Sequence, residues 1–246
     1  MRGYSILASD GRIGKVSDIL FDDQTWMIRW VVVNPEQWLE DRKVLLPIIA
    51  LGHIDAGREE FSVRLLRQQV KDSPDIDTDR SVSRHMEAAV YDHYGWTPYW
   101  GTGFFMGGGG YLGGAMGAPY LQSRQPAARP PEFSGRTDDA HLRSMKAVEG
   151  YDIHATDGNI GHLEDFLVED VDWSIRYLVA NTNSWWLGHK VVASPHIVEH
   201  IDWAHRLVSV KVDKKALKAG PAYGGLETIS RDYEREYGQY YGPLIY

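Results

Sequence analysis

The chain has 246 residues, a formal net charge of −8, 43% hydrophobic residues and no cysteine. That length accommodates two small domains, each with its own core, and the missing cysteine excludes disulfides, thiolate catalysis and Cys-ligated zinc. Residues 1–95 sum to −4, residues 96–149 to +1 and residues 150–246 to −5; both ends of the chain lack the basic balance of a phosphate-backbone binder, so nucleic acid is disfavoured as a partner.

The N-terminus, Met1-Arg2-Gly3-Tyr4, lacks the basic, apolar and small-residue regions of a signal peptide. No run of about 18 apolar residues is present to form a transmembrane segment, and the expectation is a cytoplasmic protein. Asp10-Gly11 marks a turn between short β-prone runs. Ile13, Val16 and Ile19 follow among polar residues, and simple alternation fails at Gly14, which predicts a strand with a bend or bulge there. The polar stretch Asp22-Asp23-Gln24-Thr25 reads as a turn, and Trp26 to Val33 as a strand pairing back on the one before. Val44-Leu45-Leu46 is a further short strand ended by Pro47, and Phe61 to Leu65 alternates as another. Residues 67–72 suit one helical turn. A short helix is predicted from Ser83 to Tyr91, with Ser81 or Ser83 as its cap and Glu87 at a spacing close to that of a capping box.

Residues 101–119 are rich in glycine and aromatics, and residues 94–123 carry no Asp, Glu, Lys or Arg. No Gly-Lys-Ser/Thr ending makes this a phosphate loop. It reads as a flexible linker or as an ordered, adhesive segment that packs on a barrel or a neighbouring subunit.

Beyond it the chain repeats itself. Shifted by 147 residues, Gly3-Tyr4 falls on Gly150-Tyr151, Asp10-Gly11 on Asp157-Gly158, Ile13-Gly14 on Ile160-Gly161, Asp18 on Asp165 and Trp26 on Trp173. Ile28-Arg29 falls on Ile175-Arg176, Trp38 on Trp185, His53-Ile54-Asp55 on His200-Ile201-Asp202, and Ser83-Arg84 with Glu87 on Ser230-Arg231 with Glu234. About a third of the aligned positions are identical without a gap, where chance gives roughly one in twenty; the chain is an internal duplication. The expected organisation is a first unit over 1–100, a Gly/Pro-rich aromatic linker over 101–147 and a second unit over 148–246. Five or so short strands per unit, closely spaced, predict a mainly β fold of two small barrels, each followed by a short helix and tail.

The run from Gly11 through Ile13-Gly14 to Asp18, the Trp26-x-Ile28-Arg29-x-Val31-Val32-Val33 strand, and Trp38-Leu39 with Lys43-Val44-Leu45-Leu46-Pro47 resemble the PRC-barrel family. Trp185-Trp186-Leu187-Gly188-His189-Lys190-Val191-Val192 takes the same place in the second unit, and the tail from Ser73-Pro74 to Gly101 is also similar to bacterial tandem PRC-barrel proteins. That family includes the cytoplasmic part of the photosynthetic reaction-centre H subunit and a ribosome-maturation factor. The resemblance implies a barrel used as an adaptor or assembly module, without enzyme activity; no cofactor is expected, the expected partners are proteins, and the abundant aromatics add the expectation that a second copy of the chain is among them.

Several residues carry alternative readings. His196, His200 and His205 form a histidine cluster, and a His-x-x-x-His pair suits metal on a helix, but the Ser194-Pro195 step argues against a helix there and no zincin motif completes it. Structural or surface histidines are the default, and a metal- or small-ligand-binding regulatory role for the second barrel is the alternative to the adaptor. His53-Ile54-Asp55, present twice, fits a turn-holding role better than catalysis, because no repeated serine supplies a nucleophile; no catalytic residue is assigned. Asp75, Asp77 and Asp79 start like a calcium loop but lack its Gly and closing Glu. The aromatics Trp96, Tyr99, Trp100, Phe104, Phe105, Tyr111 and Tyr120 are the candidate interaction residues. Gly14, Asp18, Trp26 and Arg29, with Gly161, Asp165, Trp173 and Arg176, are the shared scaffold, and Trp26, Trp38, Trp173 and Trp185 are expected to pack in the core or at its rim.

Overall fold

The computed structural model describes residues 1–35, 42–74, 82–100, 142–182 and 189–245. In the first unit the Asp10-Gly11 turn joins β1 (Ser5–Ala8) to the long β2 (Gly11–Asp22). β3 (Ile28–Asn34) returns along β2, followed by β4 (Val44–Pro47), a 3-10 turn at Ile48–Ala50, β5 (Leu51–Asp55) and β6 (Glu60–Val63). The ladder order is β4-β3-β2-β1-β6-β5, with β1 and β6 parallel, Ser5 opposite Glu60. The 3-10 turn carries the chain from one end of this ladder to the other, so covalent connection brings together the two edges that hydrogen bonds leave apart. That gives a barrel-like sheet with little exposed edge.

The helical turn expected at residues 67–72 is α1 (Arg67–Lys71), and the second predicted helix is α2 (Arg84–Tyr94). β7 (Leu142–Ser144) and α3 (Met145–Val148) follow. Both lie in or beside the stretch expected to be linker, and β7 pairs with Leu20–Asp22 of β2, an end of β2 that β1 does not reach.

The second unit repeats the first strand for strand. β8 (Asp152–Ala155), β9 (Gly158–Val168), β10 (Ile175–Asn181), β11 (Lys190–Ala193), β12 (Val198–Asp202) and β13 (Leu207–Val210) lie in the order β11-β10-β9-β8-β13-β12, with β13 parallel to β8. α4 (Lys214–Ala219) and α5 (Arg231–Ile245) close the chain's described part. The fold is mainly β, in two barrel-like sheets.

The irregularity expected at Gly14 is a bulge in both units. Ile6 faces Gly14 while Leu7 faces Arg12, leaving Ile13 as the extra residue; Ile153 faces Gly161 while His154 faces Asn159, leaving Ile160. Both extra isoleucines are fully buried. The bulge presses the backbone of β2 against the end of β3: a Cβ at Gly14 would sit 2.0 Å from the Asn34 carbonyl oxygen, and one at Gly161 1.8 Å from that of Asn181. Only glycine fits such an approach.

Trp26 departs from expectation. It does not begin the strand but sits in the left-handed region at φ 58°, and its repeat mate Trp173 does the same at φ 61°. A local hairpin turn closes around it: the Trp26 N–H donates to the Asp22 carbonyl at 2.8 Å and the Asp22 N–H to the Met27 carbonyl at 2.9 Å, and Glu59 and Arg206, just before β6 and β13, take the same conformation at φ 55° and 56°. The turns of the two units then meet edge to edge. The Ile28 N–H donates to the Trp173 carbonyl at 2.9 Å, the Ile175 N–H donates to the Trp26 carbonyl at 2.8 Å, and Met27 forms an antiparallel bridge with Ser174 between them. Residues related by the repeat thus exchange equivalent bonds, the pattern of a two-fold interface between identical subunits, here inside one chain. Arg2 and Glu149, also repeat mates, form an ion pair across the same junction. Phe21 packs on Phe166 at 5.8 Å and Phe61 on Trp173 at 6.2 Å, so one contiguous apolar core runs through both barrels.

Candidate interaction surface

β3 is buried on both faces because a helix covers its outside. Ile28, Val31 and Val33 point into the barrel, whereas Trp30 and Val32 join Leu45 of β4 beneath Val90 and Tyr91 of α2. Ser83 caps α2 by accepting the Met86 N–H at 3.3 Å, as expected of a serine at that position. Glu87, read as part of a capping box, turns inward instead and is only 2% exposed. Its Oε2 accepts the indole N–H of Trp30 at 2.7 Å and the Tyr99 hydroxyl at 3.2 Å, and the Arg84 guanidinium lies 3.4 Å from its Oε1. Burial raises the Glu87 pKa, opposed by the Trp30 and Tyr99 hydrogen bonds and by Arg84.

Tyr99 reaches this carboxylate because α2 ends at Gly95, in the left-handed conformation at φ 69°. The Trp96 N–H bonds back to the Tyr91 carbonyl at 2.9 Å and the chain returns along the helix. Trp96 stacks on Tyr94 at 4.8 Å, and Trp100 meets Tyr91 edge-on at 5.5 Å and Tyr99 at 4.8 Å. The guanidinium of Arg29 lies 4.0 Å over the Tyr99 ring and that of Arg84 lies 4.4 Å over Trp100, while Arg84 also donates to the Tyr99 hydroxyl at 2.6 Å. Burial pushes the Tyr91 phenol to about 12 and raises that of Tyr99 as well, so both remain neutral donors. The candidate interaction residues Trp96, Tyr99 and Trp100 are half-buried: one side of each is committed to α2. Phe104, Phe105, Tyr111 and Tyr120 lie outside the described residues, as do Trp38, Trp185 and Asp75, Asp77 and Asp79.

The remaining scaffold residues hold turns and bulges. Asp18 Oδ1 accepts the Ile19 N–H at 2.8 Å, and Asp165 does the same for Phe166, each beside a second bulge at Ser17 and Glu164. Asp18 also accepts the Ser144 hydroxyl, tying α3 to the first barrel. Arg29 bonds Thr25 at 3.2 Å, whereas Arg176 makes looser ion pairs with Asp172 at 3.7 Å and Glu169 at 3.9 Å. The repeated His-Ile-Asp triplets sit at turns: Asp55 accepts the Arg58 N–H and Asp202 the His205 N–H, each at 3.0 Å. His53, His196, His200 and His205 are exposed. His205 pairs with Asp202 at 2.7 Å, and among the described residues no group of three His, Asp or Glu side chains comes together as a metal site.

The cluster around Glu87 was not singled out from the sequence. The signal for it was present: Arg29, Arg84 and Glu87 each have an identical repeat mate in Arg176, Arg231 and Glu234.

A family model for the PRC-barrel domain matches residues 1–69, which span β1 to β6 and the start of α1. The second unit has the same strand order without a match of its own. The comparison with curated proteins returned no match. A PRC-barrel domain points to a structural or interaction module rather than a catalytic one. Among the described residues no helix is long and apolar enough to cross a membrane.

Proposed function

We propose that this chain is a non-enzymatic adaptor that associates with itself or docks on a larger protein complex through surfaces outside its barrels. The observation that supports this reading most is how the polar groups shared by both repeats are used. Asp18, Asp55, Asp165 and Asp202 cap bulges and turns, the Trp26 and Trp173 backbones join the two units, and Glu87 is enclosed by its own neighbours. These groups build a scaffold, and the half-exposed aromatics Trp96, Tyr99 and Trp100 beside Arg29 and Arg84 are left for partners. Such surfaces suit recognition, since Tyr, Trp and Arg dominate binding hot spots.

Two measurements on the full chain test this together. Sedimentation velocity across a wide concentration series is expected to show reversible assembly above the 27.9 kDa chain mass, and a thermal-shift panel of divalent metals and common metabolites is expected to leave the melting temperature unchanged. A chain that stays monomeric throughout and is stabilised by one ligand of the panel overturns the adaptor reading.

A further inference from the structure

The first unit shows what its outer cleft holds: the chain's own Tyr99 and Trp100, gripped by Arg29, Arg84 and Glu87. The second unit keeps all three gripping residues as Arg176, Arg231 and Glu234. They line one cleft together with Val171, Asp172 and Ile229. The turn that brings the tail back over the first cleft is not made at the matching glycine, Gly242. α2 stops at Gly95, but α5 remains helical through Gly242 and Pro243 to Ile245, about 21 Å from Arg231 at 1.5 Å per residue.

The exposures differ accordingly. Glu87 is 2% exposed whereas Glu234 lies on the surface, and Val171 at the rim is 84% exposed. Glu234 and Arg231 make no side-chain hydrogen bond or ion pair among the described residues, apart from the contacts α5 makes through its backbone. Trp30, whose indole shares the Glu87 carboxylate, is replaced by Tyr177, which packs into α5 against Tyr237 at 5.0 Å. The second carboxylate therefore keeps its capacity to accept.

We propose that this cleft of the second unit binds an extended segment of a partner protein that carries a tyrosine followed by a second aromatic residue. By the geometry of the first unit, Arg176 lies over the tyrosine ring, Arg231 donates to the phenol oxygen, Glu234 accepts a hydrogen bond from the phenol hydroxyl, and Val171 and Ile229 flank the apolar surface of the ring. The proposal rests on the adaptor reading and names the chemistry of one docking site within it.

The test is fluorescence anisotropy of a labelled peptide Trp-Thr-Pro-Tyr-Trp, the sequence of residues 96–100, titrated with the full chain. Saturable binding is expected. It should weaken about tenfold or more in Glu234→Gln and in Arg176→Ala, the loss of one charge-assisted contact in each, and fall again when the peptide tyrosine is replaced by phenylalanine. Both positions are exposed, so the variants should fold, as circular dichroism will show; Arg231→Glu provides a third. No saturable binding, or binding equal in all three variants, overturns the proposal. Binding lost in Arg29→Ala but kept in Arg176→Ala moves the site to the first unit and also overturns it. Binding seen only after deletion of residues 242–246 makes the chain's own end the occupant, which overturns a partner segment. A chain that self-assembles yet ignores the peptide refutes this cleft and leaves the adaptor reading standing.

Discussion

Replacing Glu87 separates its two roles, as a buried charge and as a buried acceptor. The carboxylate is 2% exposed and accepts the Trp30 indole at 2.7 Å. Glu87→Ala leaves that indole N–H enclosed without a partner, which costs about 1–3 kcal/mol, and it also removes one buried methylene at about 0.8 kcal/mol. Relief of the buried charge offsets part of this, so a net loss of about 2 kcal/mol is expected. Glu87→Gln keeps an amide oxygen for the indole and removes the charge, and should stay within about 1 kcal/mol of the parent. The pH dependence carries the sharper signature. Because the folded-state pKa is raised, the folded chain holds this proton more tightly than the unfolded chain does. The resulting contribution to stability is full below the unfolded value of about 4.3 and is lost as pH rises through the raised folded value. Urea denaturation of parent and Glu87→Gln at a series of pH values from acid to neutral reads it: the parent should lose stability relative to the variant as pH rises through that window. Parallel curves refute a buried, desolvated Glu87, and Glu87→Ala at parental stability refutes the Trp30 bond. Glu234→Ala, at the exposed repeat position, should change stability by no more than about 0.5 kcal/mol.

Gly14→Ala and Gly161→Ala drive a methyl group to within 2.0 Å and 1.8 Å of a backbone oxygen; each should destabilise its barrel by several kcal/mol or prevent folding, measured by denaturant midpoint. Gly238→Ala, in α5 with open space around it, should instead stabilise by about 0.5–1 kcal/mol. Ser144→Ala removes both the hydroxyl bonded to Asp18 and the cap that accepts the Ala147 N–H at 2.9 Å, and should cost about 1–2 kcal/mol in thermal unfolding. Tyr237→Phe deletes a buried hydroxyl that accepts the Ser194 N–H at 2.9 Å and donates to the Val192 carbonyl at 3.3 Å; a loss of about 1–3 kcal/mol should appear in urea denaturation.

Local chemistry was readable where local bonds decide the outcome. The Asp10-Gly11 turn, the single turn after Leu66 and the Ser83 cap carry their signal in neighbours within a few residues, and the glycine itself marks the Gly14 bulge; all four are found. Features set by distant partners were not. Trp26 reads as strand by its bulk, but it closes the turn before β3 in the left-handed conformation, and its carbonyl accepts the Ile175 N–H of the other unit. Glu87 has near capping-box spacing, yet the nearest donor in space is an indole 57 residues away. β7 spans three residues, too few to show any alternation, and exists because β2 extends beyond β1. For the candidate surface, the aromatics of the first tail stood out by composition, whereas the three side chains that grip them were visible only as identities between the repeats.

Native mass spectrometry of the full chain, purified gently from its own cells, tests the adaptor reading most directly. The account expects a discrete complex, either an integral number of 27.9 kDa chains or the chain with a protein partner in fixed stoichiometry. A free 27.9 kDa chain carrying a bound metal or metabolite would contradict it.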